Sequence, residues 1–498
     1  MNDPVAPTTL DGLSVASHGP QPTFRDPAGS LRLTGHHALR RIDAEAAEET
    51  LAFLASPLRA ALEKSGDLIP TVIANCDVHP CVSHGELWLE HPRIDPISYP
   101  WEWTPAQWRA AAELTLRVAS EAIKEGWTLK DATPLNIVFA GPRPVVVDVL
   151  SFELRDPRST VWLAYGQFVR TFLLPLVAAK YLSWPLQATI FWRDGYEPGE
   201  IYQALLPWQR IKPTLLDVVT FATMLERSEG KKRTSQKRPS ANDPELATHI
   251  LQKRIARLGK QIRRVADCHR RSQWSEYTQS ASHYGAADSA SKQEFVRDVI
   301  QRCGPARVLD IGANTGVYSL IAADAGAQVV AIDADAAALE TLLTAAAQHN
   351  KSITTLVANI ARPTPAAGWR NREQLSLLDR LTGRFDLVLM LAVIHHLILR
   401  EQIPLGHVAE LCASLTTRWL ILEWVPPSDP MFQEWLRGRE DLYGHLSEED
   451  LGCAFSEFFT VVRRSALGNG RILLLLERIP GGDRATMAGG ERIEASPA

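Results

Sequence analysis

A chain of 498 residues is too long for one compact core, so two or three domains are expected. Its 45% hydrophobic and 22% charged residues are those of a soluble globular protein. With 53 basic against 57 acidic residues the net charge is −4, so no global polycationic character points to nucleic acid. Met1–Gly12 is polar, acidic and proline-bearing, unlike a signal peptide, and the apolar run Phe172–Ala179 stops at Lys180, too short to span a bilayer. Six cysteines, at 76, 81, 268, 303, 412 and 453, have no CxxC spacing and read as reduced thiols of a cytoplasmic protein, not a disulfide frame or zinc site.

Residues 1–30 are Pro-, Gly- and Ser-rich and irregular. Apolar residues at helical spacing predict a helix from Ile42 to Leu62, followed by a short β-like segment, Leu68–Leu89, broken at His79-Pro80. His91–Trp108 carries Pro92, Pro96, Pro100 and Pro105 and is expected to be a loop packed by Trp101 and Trp103. Pro105 suits a first helical turn and Gly126 a stop, giving a long helix between them.

Lys130-Asp131-Ala132-Thr133-Pro134-Leu135-Asn136 is followed by the strand Pro144–Val147 and then Asp148. An Asp, an Asn five residues on, a hairpin and a second Asp is the layout of a kinase catalytic loop, where the Asn and second Asp hold magnesium on ATP. Leu129-Lys130 stands where such loops have His-Arg, Val149-Leu150 follows the second Asp, and Ser83-His84-Gly85 supplies no glycine-rich phosphate loop. The alternative is an Asx-turn at Asp131 and a hairpin in which Asn136 and Asp148 cap backbone amides. Val161–Leu182 and Glu200–Leu225 read as helices, their stripes of Phe168, Phe172, Leu173, Leu176, Tyr202 and Leu205 as core.

Ser228–Asp243 is a polar, basic linker, and Pro244–His269 a helix with arginines opposite an apolar stripe. That region serves either as a connecting element or as a docking surface for RNA or an acidic partner. Trp274, Tyr277, His283 and Tyr284 form either a lid over a ligand or aromatic packing beneath a sheet.

From Arg307 strands and helices alternate, which specifies a parallel sheet with helices on both faces. Strands are expected at 307–311, 328–332, 353–357, 385–391, Trp419–Val425, Phe459–Ser465 and Arg471–Glu477, the last two as a hairpin. Arg307–Gly316 reads as strand and glycine turn, and Asp333 ends the next strand, placed to accept hydrogen bonds from two ribose hydroxyls. An acid opening the turn, Asp310, would repel a pyrophosphate, which argues against a dinucleotide.

Leu309–Gly316, Ile332-Asp333 and Phe385–Leu389 resemble the class I S-adenosylmethionine-dependent methyltransferases, with Asn314 in place of the family's middle glycine. Asp131–Asn136, Pro144–Glu153, Gly368–Glu373 and Ile394–Leu397 look, more narrowly, like a bacterial group of two-part methyltransferases that includes nodulation-associated members. The resemblance implies a seven-stranded Rossmann-like sheet and S-adenosyl-L-methionine as cofactor. It places Asp310, Gly312, Ala313, Asn314 and Gly316 around the methionine part, Asp333 at the ribose, Asn359 at the adenine, and Leu391 at the end of the fourth strand. His395 or His396 is the candidate to take a proton from an acceptor hydroxyl, or else the two are a strand-end pair satisfied by backbone; Glu423 is a further candidate to face the acceptor. Trp369, Arg370, Trp435, Arg439, Tyr443 and His445 are candidate acceptor liners, on loops at the sheet's carboxyl edge.

The expected organisation is an irregular segment (1–30), an N-terminal α+β kinase-like or acceptor-recognition domain (31–225), a basic linker and helix (226–270), a class I methyltransferase domain (271–480) and a disordered tail (481–498). The expected acceptor is a hydroxyl of a small molecule or glycoconjugate. The runners-up are a protein or RNA methyltransferase docking through 231–271 and a phosphotransferase or scaffold using Asp131, Asn136 and Asp148. No resident metal is expected unless Asn136 and Asp148 hold Mg-ATP.

Overall fold

The computed structural model describes residues 28–75, 85–229, 240–266, 286–438 and 443–480. The expectations for residues 1–27, for most of the basic linker, for Trp274, Tyr277, His283 and Tyr284, for Arg439 and for the tail lie outside the described residues. By packing, the chain divides into two compact units: a smaller one of Met1–Glu48, Pro70–Arg93 and Pro365–Ser376, and a larger one of the remainder.

In the smaller unit, β1 (Gly29–Leu33), β2 (His37–Ile42), β3 (Val72–Ile73) and β4 (Leu87–Pro92) form an antiparallel sheet in the order β1-β2-β4-β3. Leu39 and Trp88 are its buried anchors. Pro365–Ser376 adds a turn in which the Trp369 amide donates to Glu373 at 2.7 Å. Gly368 there has φ +83°, and a Cβ would lie 2.5 Å from the Glu373 Cβ.

The larger unit holds β5 (Trp127–Leu129), the hairpin of β6 (Ile137–Ala140) and β7 (Arg143–Val146), and β8 (Phe152–Leu154), which pairs with β5. The helix Pro105–Lys124 starts on a capping box between Thr104 and Gln107, with Pro105 in the first turn where a missing N–H costs nothing. It packs against Pro244–Ala266, whose Leu251, Ile255, Leu258 and Ile262 are buried. Two helices expected to be continuous are broken. Ile42–Leu62 is Ala44–Leu54 and Pro57–Ser65, because Pro57 lacks the N–H to continue and Ser56 caps the new start. Glu200–Leu225 is split at Pro207 and Pro213 into Pro198–Ala204, Pro207–Arg210 and a π-type turn, Leu216–Phe221, leading into Ala222–Glu229.

The rest of this unit is one seven-stranded sheet: β9 (Arg307–Ile311), β10 (Gln328–Asp333), β11 (Ile353–Val357), β12 (Phe385–Met390), β13 (Thr416–Trp424), β14 (Phe459–Ala466) and β15 (Ile472–Arg478). The order is β11-β10-β9-β12-β13-β15-β14, parallel except that β15 runs antiparallel to both neighbours. This is the seven-stranded, Rossmann-like sheet closed by an antiparallel hairpin that the sequence predicts. Alternate residues feed two cores: Leu309, Val330 and Val388 face one helical layer, Val308, Val329 and Leu387 the other. Strand order reverses between β9 and β12, and the crevice above their carboxyl ends is where such sheets bind ligands.

The segment from Asp95 to Glu102 is clasped to this sheet. Arg307 and Arg384 donate to Asp95, Arg384 at 2.7 Å, and the buried Arg380 donates to the fully buried Glu102 and, at 2.6 Å, to the Ile97 carbonyl.

Candidate active site

At the end of β9 the backbone turns through Gly312 (φ +74°) and Gly316 (φ +83°). A Cβ on Gly312 would stand 2.4 Å from Val393 Cγ2, and one on Gly316 2.2 Å from Leu342 Cδ1, so both positions require glycine for conformation and for space. The amides of Gly312 and Ala313 donate to the Ile332 carbonyl at 2.8 and 3.0 Å, tying the turn to β10. Asn314 has φ +50°, the left-handed conformation Asn tolerates best after glycine, and its Oδ1 accepts from the Thr315 amide at 2.7 Å. That is why Asn can stand in the middle glycine's place.

Asp333 closes β10. Its Oδ2 accepts from the Asn314 amide and its Oδ1 from the Asp335 amide, both at 2.8 Å. Each carboxylate oxygen keeps a further lone pair for a ligand. Burial raises this carboxyl's pKa, against the pull of those amides. Asp310 lies deeper, 1% exposed, accepting from Ser319 Oγ at 2.6 Å; burial first, then the charge of Asp333, pushes its pKa up to about 6.

The other end of the site is built by β12, β13 and β15. After Leu391 the chain passes through Ala392 at φ +56°, a conformation that stores strain in a non-glycine residue, and delivers His395 and His396. Their rings are 4.2 Å apart, and Trp435 lies 4.2 Å from the His396 ring. His395 is 3% exposed and its Nδ1 has no hydrogen-bond partner among the described residues. Burial, then the nearby Arg471 and Lys292, lowers its pKa to about 3; burial, then His395, Arg400 and Arg471, lowers that of His396 to about 2. Both imidazoles are therefore neutral at physiological pH.

Glu423, fully buried on β13, is gripped by Lys292 Nζ on one oxygen and by Arg471 on the other at 3.3 Å. Arg471 Nε also donates to Asp429 Oδ2 at 2.8 Å, and Asp429 caps the helix Pro430–Leu436. Lys292 Nζ lies 5.0 Å from the Tyr318 ring centroid. The four charges form one buried chain, two positive and two negative.

These elements surround a cavity of about 970 Å³, at the upper end of the roughly 300–1,000 Å³ usual for small-molecule sites. Ile311 to Thr315, Asp333, Asn359, Leu391, His395 and His396 line it, with Lys292 and Arg471. Asp310, Gly316 and Glu423 stand behind the lining among the described residues: Gly316 sets the turn, and Glu423 reaches the cavity through Lys292 and Arg471. Asn359 Oδ1 accepts from the Ala361 amide at 2.9 Å. Trp435 and Tyr443 pack against the core, His445 is on the loop beyond, and Trp369 and Arg370 fall in the smaller unit. Sequence reasoning missed Lys292, Arg471, Asp429 and Tyr318. For Asp429 a signal was present, an acid directly before Pro430 at a helix start.

Asp131, Asn136 and Asp148 are not part of this cavity's lining. Asn136 Nδ2 donates to Ser151 Oγ at 2.9 Å, Ser151 Oγ donates to Asp148 Oδ2 at 2.5 Å, and Asp148 Oδ1 caps Leu150. Gln167 Nε2 donates to Asp131 at 3.3 Å.

The residues present fit S-adenosylmethionine. Asp333 offers two oriented acceptors to a diol, the glycine turn admits a close ligand, and the unpartnered His395 Nδ1 marks a polar position that a bound molecule would satisfy.

Residues 309–414 match the model of a methyltransferase domain. Over 468 residues, 92% of this chain and 95% of the relative, the chain is 29% identical to the nodulation protein NoeA of Rhizobium meliloti (strain 1021). Among solved structures, it is similar to the magnesium protoporphyrin IX methyltransferase ChlM of Synechocystis PCC 6803 with bound SAH, at 18% identity and a TM-score of 0.29 over 41% of this chain and 94% of that one. It is also similar to the N-methyltransferase NodS of Bradyrhizobium japonicum WM9, at 13% identity and a TM-score of 0.29 over 39% of this chain and 97% of that one. The bifunctional kinase-methyltransferase WbdD is 19% identical, with a TM-score of 0.30 over 41% of each chain.

Proposed function

We propose that this chain, an S-adenosylmethionine-dependent methyltransferase, delivers its methyl group to a hydroxyl of a small molecule or glycoconjugate, and that residues 31–225 serve acceptor recognition. The observation that carries the reading is His395: a buried, neutral imidazole on the cavity lining whose Nδ1 has no hydrogen-bond partner among the described residues. A hydroxyl can donate to that nitrogen.

When bound, S-adenosylmethionine supplies an electrophilic methyl on a sulfonium. Gly312 to Thr315, Asp333 and Asn359 hold it, and Asp310 places negative charge behind the turn. His395 accepts the acceptor hydroxyl's hydrogen bond and so aims an oxygen lone pair, a contribution of positioning. With a pKa near 3 the imidazole is too weak a base to retain the proton, which passes on to solvent as the ether forms. Glu423 keeps Lys292 and Arg471 in place and acts through them.

Docking of RNA or protein through the basic region finds less support, since Arg254, Arg257 and Arg263 are engaged by Thr160, Asp217 and Glu113. Phosphotransfer finds less support because Ser151 takes up the Asn136 amide and one Asp148 oxygen, and the other Asp148 oxygen caps Leu150.

The test is incubation with methyl-labelled S-adenosylmethionine and a small-molecule extract of the source organism, with separation of labelled products. Label recovered as a methyl ether is expected. Label confined to protein or RNA, or attached to nitrogen, would overturn the assignment of the acceptor.

A further inference from the structure

We propose that the N-terminal half of the chain supplies part of the cofactor site itself: the turn Ser183–Gln187 forms the outer wall of the nucleoside half of the cavity, and the Trp184 indole covers the adenosine. This deepens the methyltransferase reading and rests on it.

The cavity is lined from both halves of the larger unit, by the β9 and β10 turns and by Trp103, Pro105, Trp184 and Gln187. A hydrogen bond fixes which end the N-terminal wall stands on. The Ala106 amide donates to Glu340 at 2.8 Å, and Glu340 belongs to the helix Ala336–Gln348 that begins just after Asp333. Glu340 and Pro105 both line the cavity, so this wall meets the site beside the ribose-binding acid, at the opposite end from the chain of charges around Glu423.

The turn is built to hold its place. The helix Leu174–Tyr181 stops when Ser183 adopts φ +62°, a left-handed terminator without a glycine, and the amides of Leu182 and Trp184 both return to the Ala178 carbonyl, at 2.9 and 3.3 Å. Pro185 prevents the helix from resuming, and the 3-10 segment Leu186–Phe191 packs against Pro100–Glu102, which Arg380 of the helix Leu377–Leu381 holds through Glu102. Tyr196 packs against Trp184 in a tilted arrangement, with ring centroids 5.4 Å apart.

Trp184 is also the aromatic ring suited to the task. Around Asp333 the apolar part of the C-terminal lining is small or aliphatic, namely Ala334, Ala336, Ala358 and Ile360, beside the polar Asp335 and Asn359. Of the other Trp and Tyr rings on the lining, Trp103 is fully buried with its indole N–H given to Ser98, and Tyr318 lies against Lys292. Trp184 retains 37% exposure, and an adenine needs an apolar face to replace water on one side.

The test is calorimetric binding of S-adenosylhomocysteine and of methylthioadenosine to the full-length protein and to Trp184→Ala, Trp184→Phe and Trp208→Ala. Trp208 is exposed and off the cavity lining. Trp184→Ala should weaken both ligands by a similar factor of about ten, the size expected for one base–aromatic stack, because both carry the same 5′-thioadenosine. Trp184→Phe should recover most of the loss, and Trp208→Ala should match wild type. Unchanged affinity in a folded Trp184→Ala protein, or a loss for S-adenosylhomocysteine alone, overturns the proposal and leaves the methyltransferase reading intact. Failure of the wild type to bind either ligand overturns that reading instead.

Discussion

Two acid-bearing turns in this chain have motif-like spacing, and the structure treats them differently. In the N-terminal turn, Asn136 donates to Ser151, Ser151 donates to Asp148, and the other Asp148 oxygen caps the Leu150 amide, all within the turn. In the C-terminal turn, Asp333 is anchored by two backbone amides and still lines a large cavity, whose far end is held by the buried chain Lys292–Glu423–Arg471–Asp429. Spacing alone puts both turns forward. What separates them is where the donors and acceptors are directed once folded: inward, to neighbours in the same turn, or outward, to a space the size of a ligand.

Substitutions can break or sharpen that contrast. The largest effect is expected from Glu423→Ala, which strands two buried cations. A loss of about 3–5 kcal/mol in denaturant unfolding is predicted, together with impaired binding, whereas a cost below about 1 kcal/mol would mean the charges at this end are not mutually supporting. Next is the histidine pair. Their pKa values are depressed on folding from 6.5 to about 3 and about 2. The stability they contribute is therefore present above pH 6.5 and is lost as pH falls toward those folded values. Thermal melts followed downward from neutral pH should show His396→Asn less acid-sensitive than wild type; identical slopes would contradict a buried neutral pair.

A smaller effect tests the turn. Asn314→Gly should be nearly neutral and Asn314→Val should cost about 1–2 kcal/mol, because a β-branched residue resists the left-handed conformation. Equal melting temperatures for the two variants would remove the conformational argument. The smallest effect belongs to the closed turn: Asn136→Ala should leave S-adenosylhomocysteine affinity within about twofold, and Mg-ATP should give no binding heat in either protein. Heat with Mg-ATP that Asn136→Ala abolishes would reopen the N-terminal turn as a site.

Much of the C-terminal half was legible in the sequence because its signals are local. Val308-Leu309, Val329-Val330 and Leu387–Leu389 sit in strands buried on both faces, and Gly312, Gly316 and Asp333 occupy fixed places relative to strand ends. Lys292 and Arg471 were not legible, because their shared partner Glu423 is 131 residues from one and 48 from the other. No local pattern encodes an ion pair of that range. The contribution of Ser183–Gln187 to the cavity was hidden for the same reason. The break at Ser56-Pro57 differs: the cap and the proline were in plain view, and the apolar periodicity running through them outweighed a local stop that prevails in the fold.

The most direct measurement is calorimetry of S-adenosylhomocysteine with wild type and Asp333→Ala. Two charge-assisted hydrogen bonds to a ribose, lost together, predict saturable binding by wild type and about 100-fold weaker binding by the variant. Equal affinity in the two proteins, or no binding by either, would contradict the assignment of this cavity to S-adenosylmethionine.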